Sequence, residues 1–216
     1  MIVHDLRNPL TSIILAAELM LKYVDRICDP AMLFKKTEQI LTSGQRMKQM
    51  IDSMLLMAKL ESGKILFNPT TTDLSKLGMA ILTEFELIAK TQEIVLTGEL
   101  PQPGNTICID AIILRRIIEN LISNALKFSP PHSQVLLSIE YLPGNHIRIQ
   151  VTDSGPGITL EEKEKIFQKF EIGSVKHNTN QIGLGLAFCQ MAVEAQGGTL
   201  NISPNQPQGS IFTIEI

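Results

Sequence analysis

The apolar residues of this chain change their period once, near Glu61-Ser62-Gly63, and that change limits what the chain can fold into. Before it, apolar side chains recur every three or four residues. After Pro9 they fall at Leu10, Ile13, Ile14, Ala17, Leu21 and Val24, the spacing of one helix face. Cys28-Asp29-Pro30 interrupts the pattern and predicts a short connector. Beyond it come Leu33, Ile40, Met47, Met50, Met54 and Met57. Ile40, Met47 and Met54 form a heptad seam, and Ile51, Leu55 and Ala58 widen the apolar face. The methionines read as core packing. Two such helices predict an antiparallel α-helical hairpin over residues 1–63. One hairpin cannot bury two apolar stripes, so a four-helix bundle made with a second copy of the chain, a homodimer, is expected. Glu61-Ser62-Gly63 reads as a helix end and a hinge.

From residue 64 to 216 short strands alternate with helices. Lys64–Asn68 reads as a strand. Asp73 can cap a helix carrying Leu74, Leu77, Ile81, Phe85 and Ile88. Glu93–Thr97 and Thr106–Ile109 read as strands, 111–127 as a helix, and Val135–Tyr141 with His146–Thr152 as a hairpin. Glu161–Phe170 reads as a short charged helix, 171–182 as a mobile loop, and Gly183–Gln196 as a helix. Thr199–Ser203 and Ser210–Ile216 close the series as strands. Helices interleaved with hairpins, without strict βαβ repeats, predict an α+β two-layer sandwich with a mixed sheet.

Composition removes several function classes. The formal net charge of −3 gives no basic face for nucleic acid. The three cysteines, Cys28, Cys108 and Cys189, form no CxxC pair, so neither zinc nor a disulfide framework is indicated, and they read as small core residues. No apolar run reaches the ~18 residues of a membrane span, and no signal peptide opens the chain. The expectation is a soluble, cytoplasmic chain, with any membrane anchor in a region upstream.

Three stretches carry candidate chemistry. On helix 111–127, Asn120, Asn124 and Lys127 share one narrow face. Amide oxygens suit a hard cation such as Mg2+, and an ammonium suits phosphate oxygens; a solvated helix face would look the same. VTDSGPGI, residues 151–158, places Asp153 just past a strand, where a carboxylate can accept from an exocyclic amine such as adenine's. Gly155 and Gly157 would let backbone approach a flat ring, though Asp-Ser-Gly-Pro is also ordinary turn chemistry. Gly183-Leu184-Gly185-Leu186 opens a helix, where backbone N–H groups favour phosphate, but it matches neither a P-loop nor a dinucleotide fingerprint. Near the start, His4 and Asn8 of HDLRNPL share a helix face, and Pro9 deprives the Asp5 carbonyl of its usual partner and should bend the helix.

In their order, HDLRNPL (4–10), NLISNALKFSP (120–130), DSGPGI (153–158), IFQKF (166–170) and GLGLAF (183–188) resemble the H, N, G1, F and G2 boxes of the sensor histidine kinases of two-component signalling. The resemblance covers essentially the whole chain. It implies a dimerisation and histidine-phosphotransfer domain (1–63) followed by a catalytic domain (64–216) with the Bergerat-type ATP-binding fold shared with gyrase, Hsp90 and MutL. It implies ATP-dependent autophosphorylation of His4 and transfer of the phosphoryl group to an aspartate of a response-regulator receiver domain. Position by position, Asp5 would orient the imidazole and take its proton, and Asn8 would position water in a phosphatase reaction. Asn124 would ligate Mg2+ with Asn120 nearby, Lys127 would contact phosphate and Phe128 would line the site. Asp153 would bind the adenine amine, with Gly155, Gly157 and Ile158 around the ring. Phe167 and Phe170 would anchor a lid over 171–182, and Gly183, Leu184, Gly185 and Leu186 would meet the phosphates.

Two points bear on activity. The related ATPases carry a carboxylate near Asn120 to activate water; an amide cannot act as that base, so ATP would be held for His4. Only Met1-Ile2-Val3 precede His4, fewer than the family's first helix has, so the chain reads as a fragment or an internal start. A truncated first helix motivates the alternative of a phosphatase-biased or ATP-sensing module with weak kinase activity.

Overall fold

The computed structural model describes residues 2–22, 30–163, 165–168 and 184–216, with the side chains of 2–7, 21–22, 30–31, 46, 49, 160 and 161 left aside. Helix α1 (Ile2–Lys22) runs through Pro9, and α2 (Pro30–Glu61) packs against it as the expected hairpin. The Cys28-Asp29-Pro30 connector falls largely outside the described residues. Ala16 and Met50 are buried in this hairpin, and Gln39 Nε2 donates to Ser12 Oγ at 3.0 Å between the helices. Many of its other apolar side chains, among them Leu15, Phe34, Leu41 and Leu55, stay exposed.

The rest of the chain carries β1 (Thr70–Asp73), α3 (Leu74–Thr91), β2 (Val95–Glu99), β3 (Thr106–Ile109), α4 (Ala111–Phe128), β4 (Gln134–Leu142), β5 (His146–Thr152), α5 (Leu160–Lys163), α6 (Gly185–Glu194), β6 (Thr199–Pro204) and β7 (Ser210–Glu215). The main sheet has the order β2-β4-β5-β7-β6; β2 and β4 are parallel and the other pairs antiparallel, so the sheet is mixed as expected. Strands β1 and β3 form a separate antiparallel ribbon. Strand alternation sends Val135, Leu137, Ile139, Ile147, Ile149, Val151, Phe212 and Ile214 to one face, where α3, α4 and α6 cover them. Helix α4 is the centre of this layer. Leu114, Ile117, Ile118, Leu121 and Ile122 are all fully buried, each worth roughly 1.5–3 kcal/mol of apolar transfer.

The sequence reading is displaced in four places. Residues 64–69 are not a strand. Ile65 and Phe67 do alternate inward against the core, but the Asn68 N–H goes to Asp110 Oδ2 at 2.9 Å and not to a strand partner. The threonines that follow form β1 instead. Strand β2 starts at Val95 because Glu93 adopts a left-handed φ of 58° and its carbonyl accepts from the His132 N–H. The charged helix stops at Lys163, followed by a turn at 165–167. Cys108 is exposed on β3, whereas Cys189 is the expected core residue; Cys28 lies outside the described residues.

Helix α2 is shared between the two parts. Met57 and Leu60 belong to the same buried cluster as the sheet and its helices, with Met54 and Leu56 packed at its edge. Among the described residues, no helix is long and apolar enough to cross a membrane.

Candidate nucleotide site

The site is built from the end of α4 outward. Asp110 caps the helix, its Oδ1 accepting from the Ile112 and Ile113 N–H groups at 3.1 and 3.0 Å. The cap fixes the helix register, and the register sets Asn120, Asn124 and Lys127 on its half-buried side. Asn120 Nδ2 donates to the Arg116 carbonyl at 2.8 Å. Lys127 Nζ is buried and lies 5.0 Å from the centre of the Phe128 ring.

The turn after β5 is fastened to that helix end. Ser129, which closes α4, is buried, and its Oγ accepts from the Ser154 N–H at 3.2 Å. Ser154 Oγ in turn donates to the Gln134 carbonyl at 2.8 Å. Gly155 sits so close that a Cβ there would stand 3.1 Å from the Phe128 carbonyl oxygen. Gly157 has a φ of 79°, the left-handed conformation that a glycine adopts freely. Ile158 is half-buried against the core beside it.

Asp153 is buried, and its carboxylate is aimed by two backbone donors. Oδ1 accepts from the Gly155 N–H at 2.8 Å and from the Ser210 N–H at 3.1 Å. Burial pushes its pKa up, against those two hydrogen bonds, which favour the ionised form. Oδ2 receives no donor among the described residues. A buried carboxylate with one oxygen satisfied and the other open suits an amine donor.

The glycine element meets α4 directly. Leu184 is buried and stands at the start of α6, and its apolar side chain caps none of the backbone N–H groups there. A Cβ on Gly185 would come within 3.1 Å of Asn120 Oδ1. Leu186 is half-buried against the core. The structure therefore brings together Asn120, Phe128, Asp153, Gly155 and Gly185, which the sequence separates widely. A cleft of about 400 Å³ flanks the group, touching Lys127, Phe128, Ser154, Gly155 and Gln208. It does not include Asp153 or the two asparagines, so it is the side of the site and not its centre.

This arrangement fits a purine nucleotide. The open Asp153 oxygen is an acceptor for an exocyclic amine, the glycines leave room for close approach, and an uncapped helix start with a nearby lysine suits phosphates. Among the described residues, no group of three His, Cys, Asp or Glu could hold a metal.

His4 and Asp5 lie in the first turns of α1, with their side chains among those left aside. Asn8 is exposed on the same helix. Phe167 is half-buried against the core. Phe170, the lid at 171–182 and Gly183 fall outside the described residues. Sequence reasoning missed Ser210, the first residue of β7, whose N–H donates to Asp153. It also missed Arg116, whose Nη2 donates to Ser53 Oγ on α2 at 2.8 Å while its guanidinium lies 5.3 Å from the Phe188 ring on α6.

Residues 1–63 match the family model of the His Kinase A (phospho-acceptor) domain, and residues 109–216 match that of the Histidine kinase-, DNA gyrase B-, and HSP90-like ATPase. The chain belongs to the histidine kinase family. This kinase core is 31% identical over 215 residues to the sensor histidine kinase TmoS of Ectopseudomonas mendocina, covering 99% of the chain and 22% of that relative. It is 32% identical over 219 residues to the circadian input-output histidine kinase CikA of Synechococcus elongatus, covering 99% of the chain and 28% of that relative. The core thus spans about a quarter of the length of these curated relatives. Its fold is that of the Acinetobacter baumannii histidine kinase AdeS, with a TM-score of 0.74 at 23% identity, over 99% of this chain and 96% of that one.

Proposed function

We propose that this chain is the catalytic core of a two-component sensor kinase: it phosphorylates its own His4 from ATP and passes the phosphoryl group to an aspartate of a response-regulator receiver domain. The division would fall at Gly63, with a dimerising phosphotransfer domain at 1–63 and an ATP-binding domain at 64–216, acting in the cytoplasm as a homodimer. The observation that carries the reading is the open oxygen of the buried Asp153, set beside Phe128 and the glycines that close on α4.

Bound ATP supplies the γ-phosphoryl group, and magnesium held with Asn124 would neutralise its charge. Asp153 would accept from the adenine amine, with Gly155, Gly157 and Ile158 lining the base and Phe128 alongside. Lys127, Gly183, Leu184, Gly185 and Leu186 would meet the phosphates. Asn120 holds its amide nitrogen on the Arg116 carbonyl. Having no basic group, it would not activate water, which leaves the γ-phosphate for His4.

At His4, a neutral imidazole nitrogen would bond to the γ-phosphorus as the bond to ADP breaks. Asp5 would take the proton from the other ring nitrogen and so raise the density on the attacking one. Asn8, exposed four residues on, would orient water when the phosphoryl group is hydrolysed from a partner. The test is incubation with γ-labelled ATP and magnesium. An acid-labile, alkali-stable label is expected in the wild type and absent in His4→Gln; label persisting in that variant would remove His4 from the reaction.

A further inference from the structure

The turn between β6 and β7 is fastened to Asp153 by one side chain. Asn205 Nδ2 donates to the Asp153 backbone carbonyl at 2.9 Å. The same amide uses its other end as well: Oδ1 accepts from the Gln206 N–H at 2.9 Å. The Asn205 N–H closes the turn on the Gly209 carbonyl at 3.0 Å. Gly209 lies so close over Asp153 that a Cβ would overlap the Asp153 carbonyl oxygen, and its φ of 123° is one that side-chain-bearing residues rarely adopt. The Asp153 N–H donates to the Ser210 carbonyl at 2.9 Å, and the Ser210 N–H returns to Asp153 Oδ1 at 3.1 Å.

One of the two donors that aim the Asp153 carboxylate is thus the N–H of Ser210, the first residue of β7, directly after the turn that Asn205 fastens. We infer that Asn205 is a positioning residue for base selection: it holds the Asp153 carboxylate in the rotamer that accepts an amine, and so decides adenine over guanine. The inference rests on the reading of Asp153 as the adenine acceptor. Adenine presents an N–H donor at the exocyclic position where guanine presents a carbonyl oxygen. A fixed carboxylate accepts from the first and repels the second. With the turn released, Oδ1 loses the dependable Ser210 donor, the carboxylate rotates, and the penalty on guanine falls.

The experiment measures ATP and GTP dissociation constants for the whole chain as wild type, Asn205→Ala, Asn205→Asp, Gln206→Ala and Asp153→Ala. Asn205→Asp keeps the size and the acceptor for the Gln206 N–H but removes the donor to Asp153. Gln206 is exposed and serves as the control from the same turn. The expected result is an ATP affinity lowered about fivefold or more, the loss of one hydrogen bond, with a shrunken ATP-to-GTP preference in both Asn205 variants and an unchanged preference in Gln206→Ala. Partial unfolding lowers both affinities together, so the preference stays readable even where a variant is less stable. An unchanged preference in both Asn205 variants overturns the inference. If that occurs while Asp153→Ala loses its preference, the adenine reading stands and only the role of Asn205 falls. If Asp153→Ala itself keeps the wild-type preference, the adenine reading and the inference fall together.

Discussion

The hairpin and the sheet-bearing part bury their apolar side chains to different degrees. On α4 five consecutive inward-facing residues, Leu114 through Ile122, are sealed from solvent. On α1 and α2, Leu15 is 53% exposed, Phe34 70% and Leu55 58%. Both parts carry apolar stripes of helical period, and only one of them is covered. The difference teaches that the sheet and its helices, with the end of α2, complete one core, while the rest of the hairpin keeps an apolar stripe that the proposed second copy would cover. In the proposed function, the covered core would lie under the nucleotide, and the exposed stripe would lie on the hairpin that carries His4.

Breaking the covered side should have the largest effect. Leu121→Ala leaves a cavity under α4 and should cost about 2–5 kcal/mol, read as a lowered Tm at every protein concentration. A loss below about 1 kcal/mol would mean that the layer is less closely packed than its burial indicates.

The uncovered side should respond differently. Leu55→Asp introduces a charge on the exposed stripe, and light scattering should show the mass falling from a dimer to a monomer, with ATP affinity retained. A wild-type chain that is already monomeric at working concentration would contradict the paired bundle.

The tie between the halves should matter less. Ser53→Ala removes the acceptor of the Arg116 guanidinium and should lower Tm by the worth of one charged hydrogen bond, about 1.5–3 kcal/mol or less where water replaces it. Adding Arg116→Ala to it should then cost little more for that contact; full additivity of the two variants would show that the pair does not couple the hairpin to α4.

The smallest effect is expected at Asp153. Its folded-state pKa lies above the usual carboxylate value because of burial. The ionised form therefore costs stability above the unfolded-state pKa, and the cost is relieved as pH falls through the raised one. Asp153→Asn should raise the Tm of the nucleotide-free protein slightly near neutral pH, and the advantage should fade in acid. The same variant should lose most of the ATP-induced shift in Tm. A lowered Tm at neutral pH would mean that the two backbone hydrogen bonds outweigh burial.

Much of this was legible in the chain. The helical period before Gly63, the polar stripe on α4 and Asp153 at the end of β5 stand where the spacing puts them, because each depends on one element's own geometry. Residues 64–68 misled because inward alternation of Ile65 and Phe67 looks like a strand, while strand formation requires a partner that Asp110 replaces. Asn205 and Arg116 were illegible for a related reason. Their roles arise from contacts with Asp153, Ser53 and Phe188, far away in sequence, and no local period records such contacts.

The central claim is that the sheet-bearing part holds the nucleotide through Asp153 and the hairpin receives its phosphoryl group at His4. The most direct measurement is mass-spectrometric mapping of the phosphorylated residue after incubation with ATP and magnesium, under alkaline handling, in the wild type and in folded Asp153→Ala. Phosphate on the peptide carrying His4 in the wild type, and none in Asp153→Ala, is the expected result. Phosphate at another residue, or equal phosphorylation of His4 in Asp153→Ala, would contradict it.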